Sequence, residues 1–71
     1  MVDKQILKLS KLCEHWAIHN DSHKDSFKKW RKIARERDLF TVVEKLDKAI
    51  EMMDKSTEFL LSARDDLEKY F

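Results

Sequence analysis

All three histidines of this 71-residue chain lie four residues apart, at His15, His19 and His23. Residues four apart on an α-helix lie about 40° around and about 6 Å along its axis, so two imidazoles at this spacing can hold one metal ion. His15 and His23 are about 12 Å apart along such an axis, which is too far for them to share an ion. The spacing predicts that His19 and His23 form a metal-binding pair, with His15 assisting or belonging to a second, more exposed site.

Two imidazoles rarely complete a coordination sphere, so the pair needs further ligands. Asp54 or Glu58 from the second half of the chain, Glu14 or Asp21 nearby, and the same histidines of a second copy are all open at this point. Imidazole suits zinc, nickel, copper and iron, and added carboxylates keep iron, manganese and zinc in consideration. The chain contains neither Glu-x-x-His nor His-Glu-x-x-His, which argues against a carboxylate-bridged di-iron bundle and a metalloprotease.

Two long helices are the elements that must position these side chains. Gly and Pro are absent and 41% of the residues are charged, a composition typical of long helices. Alternating spacings of three and four predict an a/d heptad stripe in each half of the chain. The first stripe contains Ile6, Leu9, Cys13, Trp16, Asn20, His23, Phe27, Trp30 and Ala34, and the second contains Val43, Leu46, Ile50, Met53, Thr57, Leu60, Arg64, Leu67 and Phe71.

The break between the helices is expected in RERDLF, residues 35–40. Asp38 or Thr41 can cap the second helix, and Glu44 follows Thr41 at the spacing of a capping box. The HNDS segment, residues 19–22, also favours a turn, but the heptad register passes through it without slipping. We therefore place the only break near residues 35–40.

The predicted fold is all-α, an antiparallel two-helix hairpin that forms a single domain over residues 1–71, with helix 1 at about 3–36 and helix 2 at about 41–70. Residues 1–37 contain ten Lys/Arg and five Asp/Glu, a net charge of +5. Residues 38–71 contain five Lys/Arg and nine Asp/Glu, a net charge of −4. The two helices should therefore attract each other when they pack side by side.

A two-helix hairpin of this length leaves much apolar surface exposed, and a homodimeric four-helix bundle is the expected way to bury it. The predicted oligomer interface contains Trp16, Phe27, Trp30, Ile50, Met53 and Leu60.

Polar residues interrupt both stripes at mid-length. In a hairpin whose partner residue numbers add up to about 77–78, Asn20 faces Thr57 and His23 faces Met53 or Asp54. Ser56 lies near this layer. A buried polar group costs about 1–3 kcal/mol unless it is hydrogen-bonded. The layer either forms a hydrogen-bond network that sets oligomer specificity or supplies metal ligands, and one layer could do both.

The segment EHWAIHNDSHKDSFKKW, residues 14–30, resembles a motif of the form EHWxxHNxxHxxxFxxW. That motif is associated with small helical modules of anaerobic archaea and bacteria, some of which accompany small CooT-type nickel-binding proteins. The resemblance implies a metal-handling or redox-associated accessory module in which His15, His19, Asn20 and His23 are the functional positions. The resemblance moves nickel up the list of candidate metals, so that nickel or zinc comes before copper and iron, and it implies a metalloprotein partner.

The predicted function is transition-metal binding for delivery, storage or sensing. The alternative is a metal-free interaction module whose polar layer sets assembly specificity. The basic segment KKWRKIARER contains Trp30 on the stripe, so a nucleic-acid partner is not expected. No apolar run approaches the ~20 residues of a membrane span. One cysteine and no secretory signal predict a cytoplasmic protein, and the absence of glycine, and so of a phosphate-binding loop, argues against an enzyme.

Overall fold

The chain forms a helical hairpin. The computed structural model describes residues 3–70. Helix α1 spans Lys4–Glu36, helix α2 spans Phe40–Leu67, and a 3-10 turn follows at Glu68–Tyr70. The two helices pack side by side in a rod measuring 57 × 14 × 11 Å, which confirms the predicted all-α hairpin. Phe71, the last residue of the predicted second stripe, lies outside the described residues.

Helix α1 continues without a break through HNDS, residues 19–22. Asp3 caps its first turn, because the Asp3 carboxylate accepts a hydrogen bond of 2.8 Å from the backbone N–H of Gln5. Helix α2 has Leu39 at its N-cap position, where no side-chain oxygen is available. The predicted capping by Asp38 or Thr41 is therefore wrong.

Asp38 instead terminates α1. Its φ of 59° places it in the left-handed region. Its N–H donates to the carbonyl of Arg35 at 3.1 Å, and the N–H of Leu39 donates to the carbonyl of Ala34 at 3.0 Å. This is the pattern of a Schellman motif. Aspartate tolerates the left-handed conformation better than most residues, which suits this position in a chain without glycine.

Ion pairs between the helices fix their register. Glu14 pairs with Arg64, Lys24 with Asp54 and Arg31 with Asp47. The residue numbers of each pair add up to 78, which agrees with the predicted register of 77–78. The pairs also join the basic first helix to the acidic second helix, as the charge difference between the halves predicts.

The structure corrects half of the predicted stripe on α1. Ala17 is 3% exposed and packs against α2, whereas the adjacent Trp16 is 42% exposed. The same shift of one residue holds along the helix. The positions that face α2 are Ser10, Ala17, Lys24 and Arg31, and the predicted stripe residues that lie exposed are Leu9, Trp16, His23 and Trp30.

Side-chain size and charge explain this shift. The small side chains of Ser10 and Ala17 allow close helix approach, and the longer Lys24 and Arg31 reach carboxylates on α2. On α2 the predicted stripe does face α1, with Val43 and Ile50 buried at its centre. The resulting core is thin, because no side chain among residues 3–70 is fully buried. Neither helix, within that same range, combines the length and apolar character needed to cross a bilayer.

Candidate functional site

His19 and His23 lie in contact on one face of α1. Their Nε2 atoms are 2.9 Å apart, their ring centroids are 4.4 Å apart, and their rings are nearly perpendicular at 88°. Both side chains are exposed. One imidazole N–H therefore donates to the lone pair of the other ring, and this bond holds the two Nε2 atoms together at the helix surface.

The separation of these nitrogens suits two adjacent ligands of one metal ion. With metal–nitrogen bonds of about 2.0–2.1 Å, ligands at 90° are about 2.9 Å apart, whereas tetrahedral ligands are about 3.3 Å apart. The observed 2.9 Å is the ordinary length of a hydrogen bond between two nitrogens, and it places two donors within reach of one ion without selecting a coordination geometry.

The other predicted ligands do not join this pair. The ring of His15 stacks at 6.3 Å from that of His19. The Asp54 carboxylate instead accepts a hydrogen bond of 2.8 Å from the Lys24 ammonium. Across the described range 3–70, no three His, Cys, Asp or Glu side chains, Glu58 included, come together as a metal-binding group. Within one chain, the two imidazoles form the pair without a third ligand.

The predicted polar layer is divided between the core and the surface. Asn20 is half-buried, and its side-chain amide donates to the Ser56 hydroxyl at 3.0 Å. Thr57, the predicted partner of Asn20, is half-buried beside this bond, while Ser56 is exposed. His23 was predicted at a core position but is exposed and contacts His19. The layer therefore consists of one Asn–Ser bond between the helices and one His–His contact outside them.

One side of the hairpin, which we call the charged flank, carries the ion pairs between the helices. Lys24 donates to Asp54 at 2.8 Å, and this bond raises the pKa of Lys24 above its usual value. The carboxylate of Asp65 raises the pKa of Arg64 in the same way, with Glu14 adding a smaller effect at 3.4 Å. The charged flank is formed by Glu14, Lys24, Arg31, Asp47, Asp54 and Arg64.

The opposite side of the hairpin, which we call the apolar flank, carries large exposed side chains. Asp54 and Ser56 point about 200° apart around α2, so the row that includes Ser56 lies on the side away from the ion pairs. Residues that repeat every seven positions continue this row along α2, and a second row with the same spacing lies beside it on α1. The apolar flank is formed by Leu9, Trp16, His23 and Trp30 of α1 and by Val42, Ala49, Ser56 and Ala63 of α2, with His19, Met52 and Phe59 along its edges.

The predicted oligomer interface is only partly on this flank. Trp16 and Trp30 lie on it and are exposed. The other predicted interface residues contribute to contacts inside the hairpin: Phe27, Ile50, Met53 and Leu60. Met52 and Phe59, which lie seven residues apart, are also exposed, and neither was among the predicted interface residues. Their heptad spacing in the sequence is the signal that could have identified them.

Comparison with known proteins gives a family but no activity. The family model described as "Domain of unknown function (DUF8180)" matches residues 9–67, which include both helices and the histidine pair. No curated protein and no solved structure matches the chain. The chain therefore belongs to the DUF8180 family.

Proposed function

We propose that this protein is a homodimeric helical module that binds a transition metal ion through His19 and His23, with a role in metal delivery, storage or sensing. The proposal combines two features of one surface. The apolar flank provides the area for a second copy of the chain, and the histidine pair at the middle of that flank provides the metal ligands.

The exposed surface of the hairpin supports self-association. The chain exposes 5706 Å². A compact monomer of 8.6 kDa exposes about 4,700 Å². The excess of about 1,000 Å² is comparable to the roughly 800 Å² that each partner buries in a standard interface. Packing two apolar flanks together to form a four-helix bundle would remove this excess.

The observation that carries the metal assignment is the 2.9 Å separation of the His19 and His23 Nε2 atoms. A metal ion bound by both Nε2 atoms would take the place of the shared proton once each ring turns its lone pair toward the ion, about 2.0–2.1 Å from each nitrogen. Its remaining coordination positions are left for water or for donors of a metalloprotein partner. An ion with open positions can be passed on, which suits a delivery role. Imidazole ligands suit nickel and zinc, which we place first, as well as copper and iron.

Calorimetric titration of the untagged protein with Ni²⁺, Cu²⁺ and Zn²⁺ tests this assignment. We expect stoichiometric, sub-micromolar uptake of Ni²⁺ or Zn²⁺, and loss of uptake in both His19→Ala and His23→Ala. His15→Ala is the matched control, because it removes an exposed imidazole that stacks on His19 but supplies neither of the two paired Nε2 atoms. Weak uptake, or uptake that all three variants reduce equally, would reject the chelating pair.

A metal-free assembly module is the second candidate, favoured by the hydrogen bonds already present in the flank. Asn20 bonds Ser56, and His19 and His23 bond each other, so each of these side chains has a partner without a metal. In this case His23→Ala should weaken dimerisation, because His23 lies within the bulky row of the flank. His15→Ala and His19→Ala should leave the dimer unchanged.

A further inference from the structure

We infer that the two copies of this chain pack flank to flank about a two-fold axis parallel to the length of the hairpin, so that both turns lie at the same end of the bundle. This inference rests on the proposed self-association and adds its orientation. The observations that carry it are the sizes of the side chains across the apolar flank and the opposite charges of the two helices.

The apolar flank consists of one bulky row and one small row. The bulky row on α1 repeats every seven residues and contains Leu9, Trp16, His23 and Trp30. The row beside it on α2 contains Val42, Ala49, Ser56 and Ala63. The ion-pair register sets Trp16 at the level of Ala63 and Trp30 at the level of Ala49. The flank is therefore raised along α1 and recessed along α2.

Only one face-to-face orientation matches the raised side with the recessed side. A two-fold axis along the hairpin places α1 of each copy over α2 of the other, at the same level. Trp16 then lies over Ala63 of the second copy, and Trp30 over its Ala49. An axis across the hairpin would place α1 over α1 and α2 over α2. Large rows would then meet large rows, small rows would face each other across a gap, and native packing density would be lost.

Charge favours the same orientation. The α1 half carries +5 and the α2 half carries −4. Helices in a bundle lie about 8–10 Å apart, close to one Debye length at physiological salt. With the axis along the hairpin, each helix has two neighbours of opposite charge. With the axis across it, α1 lies against α1 and like charges meet. The two rows of the flank contain no Lys, Arg, Asp or Glu that would oppose the contact.

This orientation also determines the metal stoichiometry. Because the two α1 helices are then diagonal to each other in the bundle, their His19–His23 pairs remain separate. Each pair binds its own ion, giving one ion per chain. The crossed orientation places α1 on α1, where four imidazoles can share a single ion and the ratio falls to one ion per two chains.

Distances between spin labels at the turns test the orientation without metal. Arg37→Cys, made in a Cys13→Ala background, places one label beside each turn of the dimer. Turns at the same end should give a label-to-label distance of about 20–30 Å, since neighbouring bundle helices are about 10 Å apart and the labels add length. Turns at opposite ends should give about 50 Å, since the hairpin is 57 Å long. A distance near 50 Å would overturn the inference.

Lys4→Cys, at the other end of the hairpin, is the matched control. It should also give a short distance if the axis lies along the hairpin. A mixed sample, with one copy labelled at each site, should give the long distance. Sedimentation equilibrium of the same samples separates the two ideas. A dimer with a long Arg37 distance rejects the orientation alone, whereas a monomer at high micromolar concentration rejects the proposed self-association, and the inference with it.

Discussion

The two flanks of this hairpin differ in where their side chains find partners. On the charged flank, Lys24 and Arg31 bond carboxylates of the same chain at 2.8 and 2.7 Å. On the apolar flank, Trp16 remains 42% exposed and Trp30 57% exposed. The charged flank joins the two helices, whereas the large side chains of the apolar flank stay exposed. In the proposed dimer, folding and assembly would therefore use separate residues of the same helix.

This division follows from the rotation of α1 about its own axis. Turning α1 so that Trp16 and Trp30 faced α2 would bury more apolar surface within the chain. It would also move Lys24 and Arg31 away from Asp54 and Asp47. The observed rotation keeps these ion pairs and the close contact at Ala17, and it leaves the bulky row exposed. The bulky row is then available to pack against a second copy.

The largest expected effect comes from a charge placed on the apolar flank. Trp30→Asp should weaken dimerisation by about 2–4 kcal/mol, or roughly 30- to 1,000-fold in Kd, because an aromatic anchor of the bulky row is replaced by a charge that the interface must desolvate. The helices should remain paired, because the charged flank is unchanged. Sedimentation equilibrium measures the first effect and circular dichroism at high protein concentration measures the second.

Ile18→Asp is the control for this experiment. Ile18 is exposed on α1 but points about 200° away from Trp16, so it lies on neither row of the apolar flank. We expect its dimer Kd to stay within twofold of the wild type. Equal losses in the two variants would mean that exposed apolar residues associate without specificity, and the comparison between the flanks would fail.

A smaller effect is expected from charge reversal on the charged flank. Lys24→Glu should lower the melting temperature by a few degrees, because it places two carboxylates together at Asp54. The double variant Lys24→Glu with Asp54→Lys should recover most of the loss. Both differences should shrink in 1 M salt, where the Debye length falls to about 3 Å. A double variant no more stable than the single one would show that the pair does not hold the register.

The pH dependence of this ion pair has a definite sign. The hydrogen bond to Asp54 raises the pKa of Lys24 above its ordinary 10.5. The stabilisation is therefore complete below pH 10.5 and is lost as pH rises through the raised value. Thermal melts of wild type and Lys24→Met should differ by a constant amount from pH 7 to 10 and converge at higher pH. A difference that changes between pH 7 and 9 would contradict this assignment.

Helical periodicity in the sequence was enough to predict the features that are set within a single helix or by the position of the turn. It gave the all-α hairpin, the stripe on α2, the register of the ion pairs, and the contact between His19 and His23. It did not determine how α1 is rotated against α2. Position 9 lies three residues after Ile6 and four before Cys13, whereas position 10 lies four after Ile6 and three before Cys13, so both satisfy the heptad spacing. The same choice recurs every seven residues along the helix. Choosing the more apolar residue of each pair selected the wrong position, because that choice takes no account of the carboxylates on α2.

The same unknown rotation explains the outcome for the candidate metal site. The His19–His23 contact needs only the geometry of one helix, and it was predicted. The position of Asp54 depends on the rotation of both helices, and it pairs with Lys24 instead of the histidines. The turn was predicted within residues 35–40, but Asp38 was assigned to the wrong helix end. Its role depends on a left-handed backbone conformation that side-chain patterns do not encode.

The smallest expected effect is at the turn, which belongs to neither flank. Asp38 has a φ of 59°, where glycine is less strained than any residue with a Cβ atom. Asp38→Gly should therefore stabilise the hairpin by about 0.5–1 kcal/mol, and Asp38→Ala should destabilise it. Neither change should alter the dimer Kd, because both leave the apolar flank intact. Denaturant melts at several protein concentrations separate hairpin stability from association. If Asp38→Gly changed the dimer Kd, the turn would have to contribute to the dimer interface. Assembly would then not depend on the apolar flank alone.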